Sequence, residues 1–280
     1  MKIKHVSFGL VLFILAIANM YPGALAQKNE IIRKHLDSIG SAEARSVIKD
    51  MTAVGSLRYN VLRSGGTGGD GKVVLASDQS RFLVGMSLGI PLYSGENIVF
   101  DGKKQRVNFV NSNVRSYLGD FLYRYPDVIS RTLLGGSLSG AWLMYDPGFR
   151  NCKIEFDGTK KIDGAEVYAM SVLPKGGSDL EIQIFFDKET YRHVRTTYKR
   201  TIGALQGATV DTSSQRRGQR QIMTEDFGDF RSEQGLMLPH SYKIYVLYDG
   251  ETETKEYEWV MKFNQFLLNQ NFEPGIFEIK

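Results

Sequence analysis

The chain holds a single cysteine, Cys152, among its 280 residues, so no intrachain disulfide framework braces it. Proline is scarce at seven, and the 29 glycines follow no fixed period, which excludes a collagen-like chain. An apolar content of 42% excludes a disordered one, and at this length a domain buries roughly 70 to 75% of its unfolded surface. Neither sign of charge dominates, since 35 Lys and Arg face 31 Asp and Glu. A nucleic-acid binder needs a concentrated basic face, which that near-balance does not supply. Histidine is equally thin. Beyond the first segment only His35, His193 and His240 remain, with no pair at metal-ligand spacing. After residue 26 the apolar runs are strand-length, short of the ~20 residues that a membrane-spanning helix needs.

The first 26 residues are a different matter. Lys2, Lys4 and His5 form a positive start, Val6 to Ala18 is an apolar run broken only by Ser7 and Gly9, and Ala24-Leu25-Ala26 ends in small residues. This is the pattern of a cleaved export signal. Asn19, Pro22 and Gly23 break the run before it could span a bilayer. Cleavage after Ala26 leaves residues 27–280 as one soluble domain, and no cysteine follows the cut to take a lipid. The expected location is the periplasm, or outside the cell. In that oxidising setting a lone Cys152, alternating with Lys153 and Glu155 and in phase with Ile154 and Phe156, reads as a small buried hydrophobe.

Two amphipathic helices open the mature chain. Ile31, Ile32, His35, Leu36 and Ile39 recur at helical spacing up to Gly40, and Ala44, Val47, Ile48 and Met51 follow Ser41 as N-cap. From Ala53 onward the period switches to two. Leu180, Ile182 and Ile184 alternate with polar neighbours, as do Tyr257, Trp259, Met261 and Phe263, the mark of half-buried antiparallel strands. Further extended runs are 57–63, 72–76, 80–86, 97–100, 105–110, 166–173, 193–199, 220–227 and 241–248. Asp-Gly pairs at 70–71, 101–102, 157–158, 163–164 and 249–250 supply hairpin turns. The fold class expected is α+β, a single highly curved antiparallel sheet of about ten or eleven strands forming an incomplete barrel.

One segment breaks the strand pattern. Val114, Tyr117, Leu118, Phe121, Leu122 and Tyr125 fall at helical offsets with a wide apolar face. Pro126 ends that helix, and a second carries Val128, Ile129, Thr132 and Leu133 on one side. This mid-chain pair, with the N-terminal helices, should cover the concave face of the sheet. Core closure accounts for its apolar stripe by itself; a helix plug that can swing out would turn a filled interior into a site for one apolar ligand.

The export signal, the N-terminal amphipathic helix, strands ending in Phe100-Asp101-Gly102, the mid-chain helix pair and Phe185-Phe186-Asp187-Lys188-Glu189-Thr190 come together with a C-terminal set. That set is Phe227-Gly228-Asp229-Phe230-Arg231 leading to Gly235-Leu236-Met237-Leu238-Pro239, then Phe263-Asn264 and Pro274-Gly275-Ile276-Phe277. In this order the chain resembles the outer-membrane lipoprotein-sorting proteins, the LolA/LolB-like group, over most of its mature length. The resemblance implies an incomplete antiparallel barrel whose apolar interior holds the acyl chain of a lipid or lipoprotein in transit through the periplasm. It makes Tyr117, Leu118, Phe121 and Leu122 the lid residues, facing strand aromatics such as Trp259. Carrier members keep the lid closed through an arginine on a sheet strand, but the motifs here do not choose among Arg58, Arg81, Arg106 and Arg195, and that role is not carried over. The polar, basic loop from Ala204 to Gln221 has no counterpart in a minimal carrier, and reads either as a solvated loop or as a contact to anionic headgroups.

Signals for an enzyme fail on inspection. Gly65-Gly66-Thr67-Gly68-Gly69-Asp70-Gly71-Lys72 lacks the spacing of a phosphate-binding loop and precedes a strand. Gly136-Ser137-Leu138-Ser139-Gly140 has Leu where a nucleophile elbow needs Ser. Glu225, Asp226 and Asp229 read as surface charges. No catalytic residue, cofactor or metal is expected. The functions weighed are an acyl-chain binding or transfer protein, a non-catalytic envelope sensor or scaffold that binds another envelope protein, and, remotely, a secreted hydrolase. A monomer is expected, with peripheral membrane contact open.

Overall fold

The computed structural model describes residues 21–63, 65–109, 114–148, 150–203, 218–273 and 275–278, and the side chains among them from Leu25 onward. The expected export signal falls mostly outside the described residues, as does the basic loop over 204–217. Helix α1 (Tyr21–Ile39) runs straight through the expected cleavage point at Ala26 and stops at Gly40. Helix α2 (Ala42–Ser46) starts where the sequence places it, with the Ser41 side chain accepting from Ala44 N–H. It is shorter than its periodicity implies. Met51 belongs to the first strand instead, because Asp50 accepts the backbone N–H groups of Gln270 and Asn271 and fixes the chain in an extended path.

Twelve strands form one antiparallel sheet, one or two more than expected: β1 (Asp50–Arg63), β2 (Gly69–Asp78), β3 (Phe82–Leu88), β4 (Asn97–Phe100), β5 (Gln105–Val107), β6 (Cys152–Ile162), β7 (Ala165–Pro174), β8 (Glu181–Asp187), β9 (His193–Ile202), β10 (Gln219–Glu233), β11 (Leu236–Asp249) and β12 (Thr254–Leu268). Their spatial order is β5-β4-β3-β2-β1-β12-β11-β10-β9-β8-β7-β6. The two edges are therefore β5 and β6, which follow one another in sequence and do not pair. Every other connection joins adjacent strands. The stretch between β5 and β6 alone must cross from one edge of the sheet to the other, and a curved sheet offers it the inner face as a path.

Alternation holds where it was read. Tyr257, Trp259, Met261 and Phe263 of β12 are buried. Asn264 and Gln265 are then both exposed, and after this bulge Phe266 and Leu268 face inward again. The bulge needs Gly55 opposite, since a Cβ there would lie 2.1 Å from the Lys262 carbonyl oxygen. Three of the five Asp-Gly pairs are turns, at 101–102, 163–164 and 249–250. The other two sit inside strands. Gly71 lies in β2, and Asp157-Gly158 forms a bulge in β6 with Gly158 at φ +90°.

The mid-chain segment is α3 (Tyr117–Arg124), a single turn α4 (Asp127–Ser130), and 3-10 turns at Gly136–Leu138 and Leu143–Tyr145. The second helix is thus cut short of its expected length. Thr132 takes φ +53°, and the N–H groups of Thr132 and Leu133 bond back to the carbonyls of Ile129 and Val128, closing the helix as a Schellman motif. Beyond it Leu133, Leu134, Leu138, Trp142 and Leu143 continue down the inner face, each at most 1% exposed. No described helix is long and apolar enough to cross a membrane.

Candidate functional site

The covered inner face is the candidate site, and residues 114–145 form its lid. The α3 N-terminus is capped by Ser116, whose hydroxyl accepts from Gly119 N–H and donates to Glu96. Glu96 also accepts from Tyr93 O–H at 2.8 Å, and Tyr93 in turn accepts from Trp259 Nε1–H at 2.7 Å. A chain of hydrogen bonds thus runs from the central strand β12 to the start of the lid. Near the lid's middle Glu225 of β10 plays the same part. Its carboxyl accepts Gly135 N–H at 2.7 Å, Tyr198 O–H at 2.6 Å and Tyr242 O–H at 2.5 Å. Two lighter ties complete the set, Gly140 N–H to Ser77 Oγ and Tyr125 O–H to Gln221.

Both carboxyls are buried. Desolvation pushes each up to about 7, against the pull of its hydrogen-bond donors. Neither has a cation beside it, so each is held by neutral donors alone. Glu225 corrects the expectation of a surface charge: it is fully buried, while Asp226 pairs with Arg195 and Lys243, and Asp229 pairs with Arg231. The candidate latch arginines resolve differently too. Arg58, Arg81 and Arg195 engage Asp70, Asp78 and Asp226, and Arg106 Nε donates to Asn108. The described lid-to-sheet hydrogen bonds run to Glu96, Glu225, Ser77 and Gln221.

All five residues singled out from sequence come together. Leu118, Phe121, Leu122 and Trp259 lie in one continuous buried core. Tyr117, half-buried, stacks on Tyr257 with ring centroids 4.8 Å apart, and Tyr59 bridges Tyr93, Tyr257 and Trp259. The inner face is therefore filled by side chains at this end. Open space lies elsewhere, along the seam between the lid and the N-terminal helices. One cavity of about 380 Å3 is lined by Ile48, Met51, Leu236, Leu238, Tyr145 and Ser137, with Arg45 and Lys49 also on its wall. Ser137 is buried there with no partner for its Oγ. A second, of about 560 Å3, lies between α1 and β6 over Ile32, Leu36, Met144, Cys152 and Ile154. Tyr145 lines both.

Three buried rings pin the lower lid to α1. Trp142 stacks on His193 at 4.8 Å and meets His35 edge-on at the same distance. His35 Nδ1 pairs with the Tyr191 carbonyl, and His193 Nε2 with Thr196 Oγ1. Burial drives His35 down to about 3 and His193 well below its usual range, so both rings are neutral. Two histidines without a third ligand do not make a metal site, and the described residues hold no group of three or more His, Cys, Asp or Glu positioned for one. Cys152 is buried as expected.

Sequence reading missed Glu96, Ser116 and Tyr145. The capping pattern Ser-x-x-Gly at 116–119 marks only a helix start, and nothing in the sequence pairs Ser116 with a carboxylate 20 residues upstream.

No family model matches the chain and no curated protein matches it in sequence. Among solved structures, it is similar to a LolA superfamily protein from Nitrosomonas europaea, at 13% identity, 90% of this chain and 97% of that one, with a TM-score of 0.49. It is similar as well to a DUF1329 family protein from Desulfovibrio piger, at 12% identity, 89% and 96% coverage and a TM-score of 0.47. A third is a putative outer membrane lipoprotein-sorting protein domain from Vibrio parahaemolyticus, at 10% identity, 88% and 97% coverage and a TM-score of 0.42. At such identities the likeness concerns the arrangement of sheet and helices, and nothing of the chemistry. The half-barrel itself, one open antiparallel sheet with helices across its inner face, is this chain's own geometry.

Proposed function

We propose that this protein is an exported, periplasmic binder of acyl chains, from a lipid or a lipoprotein, which enter the half-barrel between lid and sheet. The observation that carries the reading is the lid. It is the one connection that crosses the sheet, it is apolar toward the sheet, and polar ties anchor it at its start, middle and lower end. A purely structural closure has no need of two ionisable groups sealed among neutral donors, each costing free energy once ionised.

Magnitudes decide how such a lid can open. It buries Leu118, Phe121, Leu122, Val128, Ile129, Leu133, Leu134, Leu138, Trp142 and Leu143, at about 2 kcal/mol each or about 20 kcal/mol together. That exceeds the whole stability of a typical domain, about 5 to 15 kcal/mol, so complete displacement is excluded. Moving α3 alone exposes Leu118, Phe121 and Leu122 with part of Tyr117, about 7 kcal/mol, and a chain of about a dozen methylenes entering in their place returns about 10 kcal/mol. The 380 Å3 cavity at the seam has room for about a dozen water-sized groups before anything moves.

The test is native mass spectrometry of the protein purified from a bacterial periplasm without detergent, with solvent extraction of whatever it carries. A stoichiometric lipid or acylated peptide is expected, and its mass names the ligand. A protein that emerges empty, and stays empty when fatty acid and phospholipid are offered, overturns the reading and leaves a filled half-barrel that works by contacting another envelope protein.

A further inference from the structure

A second site lies outside the covered face, at the β5 edge of the sheet. A cavity of about 630 Å3 there is lined by three arginines, Arg106, Arg115 and Arg124, together with Gln105 and Tyr123. Arg115 is held in an unusual way. Its guanidinium lies 4.1 Å from the ring centroid of Phe109 and 3.8 Å from that of Tyr123, so two cation–π contacts fix its plane. Its Nε has no hydrogen-bond partner, and no described carboxylate pairs with it. Arg124 is held by Asp120 at 2.6 Å and Arg106 Nε by Asn108. Of the three guanidiniums, that of Arg115 has no carboxylate partner among the described residues. A cluster of this kind repels itself unless an anion is present or the surface is well solvated, and here the central member is oriented by rings rather than by an acid.

We propose that this cavity binds a phosphate ester. A guanidinium fork matches two oxygens of a carboxylate or a phosphate equally well. A carboxylate is satisfied by one fork, whereas a tetrahedral phosphate presents oxygens in several directions and suits several forks at once. The rim adds a second argument. Phe109 and Tyr123 are 49% and 58% exposed, and Val114 beside them 54%, so apolar surface flanks the cationic floor and suits the organic part of an ester. That ester is either a phospholipid headgroup or a soluble small molecule. Its lining is distinct from that of the acyl-chain cavity, but Arg115, Tyr123 and Arg124 belong to the lid, so the site is complete while α3 is seated.

The experiment offers the full exported protein glycerol phosphate and inorganic phosphate by calorimetry, and vesicles of phosphatidylcholine with and without phosphatidylglycerol by sedimentation. Saturable binding to one of these probes is expected. Binding of glycerol phosphate in solution assigns a soluble ester; binding only to phosphatidylglycerol vesicles assigns a lipid headgroup. Loss of the charge-assisted contacts in Arg115→Ala should weaken binding about tenfold or more. Tyr123→Ala, which frees the guanidinium, should weaken it less, and Arg58→Ala, an exposed arginine paired with Asp70, should leave it unchanged. If Arg115→Ala does not fold, Arg115→Lys carries the test, since it keeps the charge and loses the fork. The proposal is overturned if no probe binds, if a folded Arg115 variant binds as the wild type does, or if polyglutamate competes as well as phosphate.

Discussion

Replacing Glu225 by Gln isolates the free energy that the buried carboxyl contributes to holding the lid. Glu225 titrates near 4.5 in an unfolded chain and at about 7 in the folded one. Between those values the folded state binds the proton more tightly, so its stabilising contribution is complete below about 4.5 and is lost as pH rises through about 7. A shift of that size is worth about 3 kcal/mol. Gln keeps an acceptor for Gly135 N–H and never ionises, so the variant should be close to wild type in stability near pH 5, and more stable by up to about 3 kcal/mol near pH 8. For a chain of this size that difference is about 6 to 12 °C in the melting midpoint. The wild-type profile alone cannot show it. His35 and His193 are held below their usual 6.5, and they act in the opposite sense, losing stability as pH falls through 6.5. The readout is therefore the difference between variant and wild type across pH, from urea unfolding followed by tryptophan fluorescence. A difference that does not change from pH 5 to pH 8 refutes the buried-acid account.

Other expectations follow from the same geometry. His35→Phe should give a difference profile of the opposite slope, gaining on the wild type as pH drops below about 6.5, and a flat one would show that burial does not hold His35 neutral. Phe121→Asp sets a carboxylate at a position 3% exposed and should cost the lid at least the ~3 to 5 kcal/mol of a Phe→Ala cavity. A folded variant that still binds fluorescent fatty acid at wild-type affinity would remove α3 from the ligand site. Gly55→Ala drives a methyl against the Lys262 carbonyl; it should cost about 3 kcal/mol in urea unfolding while leaving the lid's pH dependence alone.

The strands were legible because most have one dry face, and the period of two survives in β12 on either side of its bulge and in β11 from Tyr242 to Val246, while in β8 Ile184, Phe185 and Phe186 are all buried. The misreadings share a cause. Asp70-Gly71 and Asp157-Gly158 carry the composition of a turn, but pairing with β1 and β3 carries β2 through the first and the second bulges out of the β6–β7 ladder, and only the sheet knows its partners. α4 stops early because Leu133 and Leu134 turn down into the inner face, and no local propensity records that destination. The lid residues were readable by their spacing, whereas the groups that hold the lid were not. Glu225 sits in a run with Asp226 and Asp229 that looks uniformly wet, yet strand alternation turns Glu225 inward and Asp226 outward.

That alternation explains how acids come to tie the lid. An arginine on the inner face would keep its charge at every pH, and its burial would need an acid from the lid itself. A carboxyl can shed its charge by taking a proton, accept backbone N–H and tyrosine O–H without any cation, and so sit in a core as dry as this one. The consequence is a lid whose hold weakens as the two acids ionise near neutral pH. About 3 kcal/mol from Glu96, the acid that holds the start of α3, is a sizeable part of the ~7 kcal/mol that exposes α3. On this reading Glu96, which holds the N-cap of α3, sets how much of the opening cost an acyl chain must replace, and Glu96→Gln should bind fluorescent fatty acid more weakly than the wild type at pH 8 and no differently at pH 5. Equal affinity at both pH values would separate this acid from the binding step.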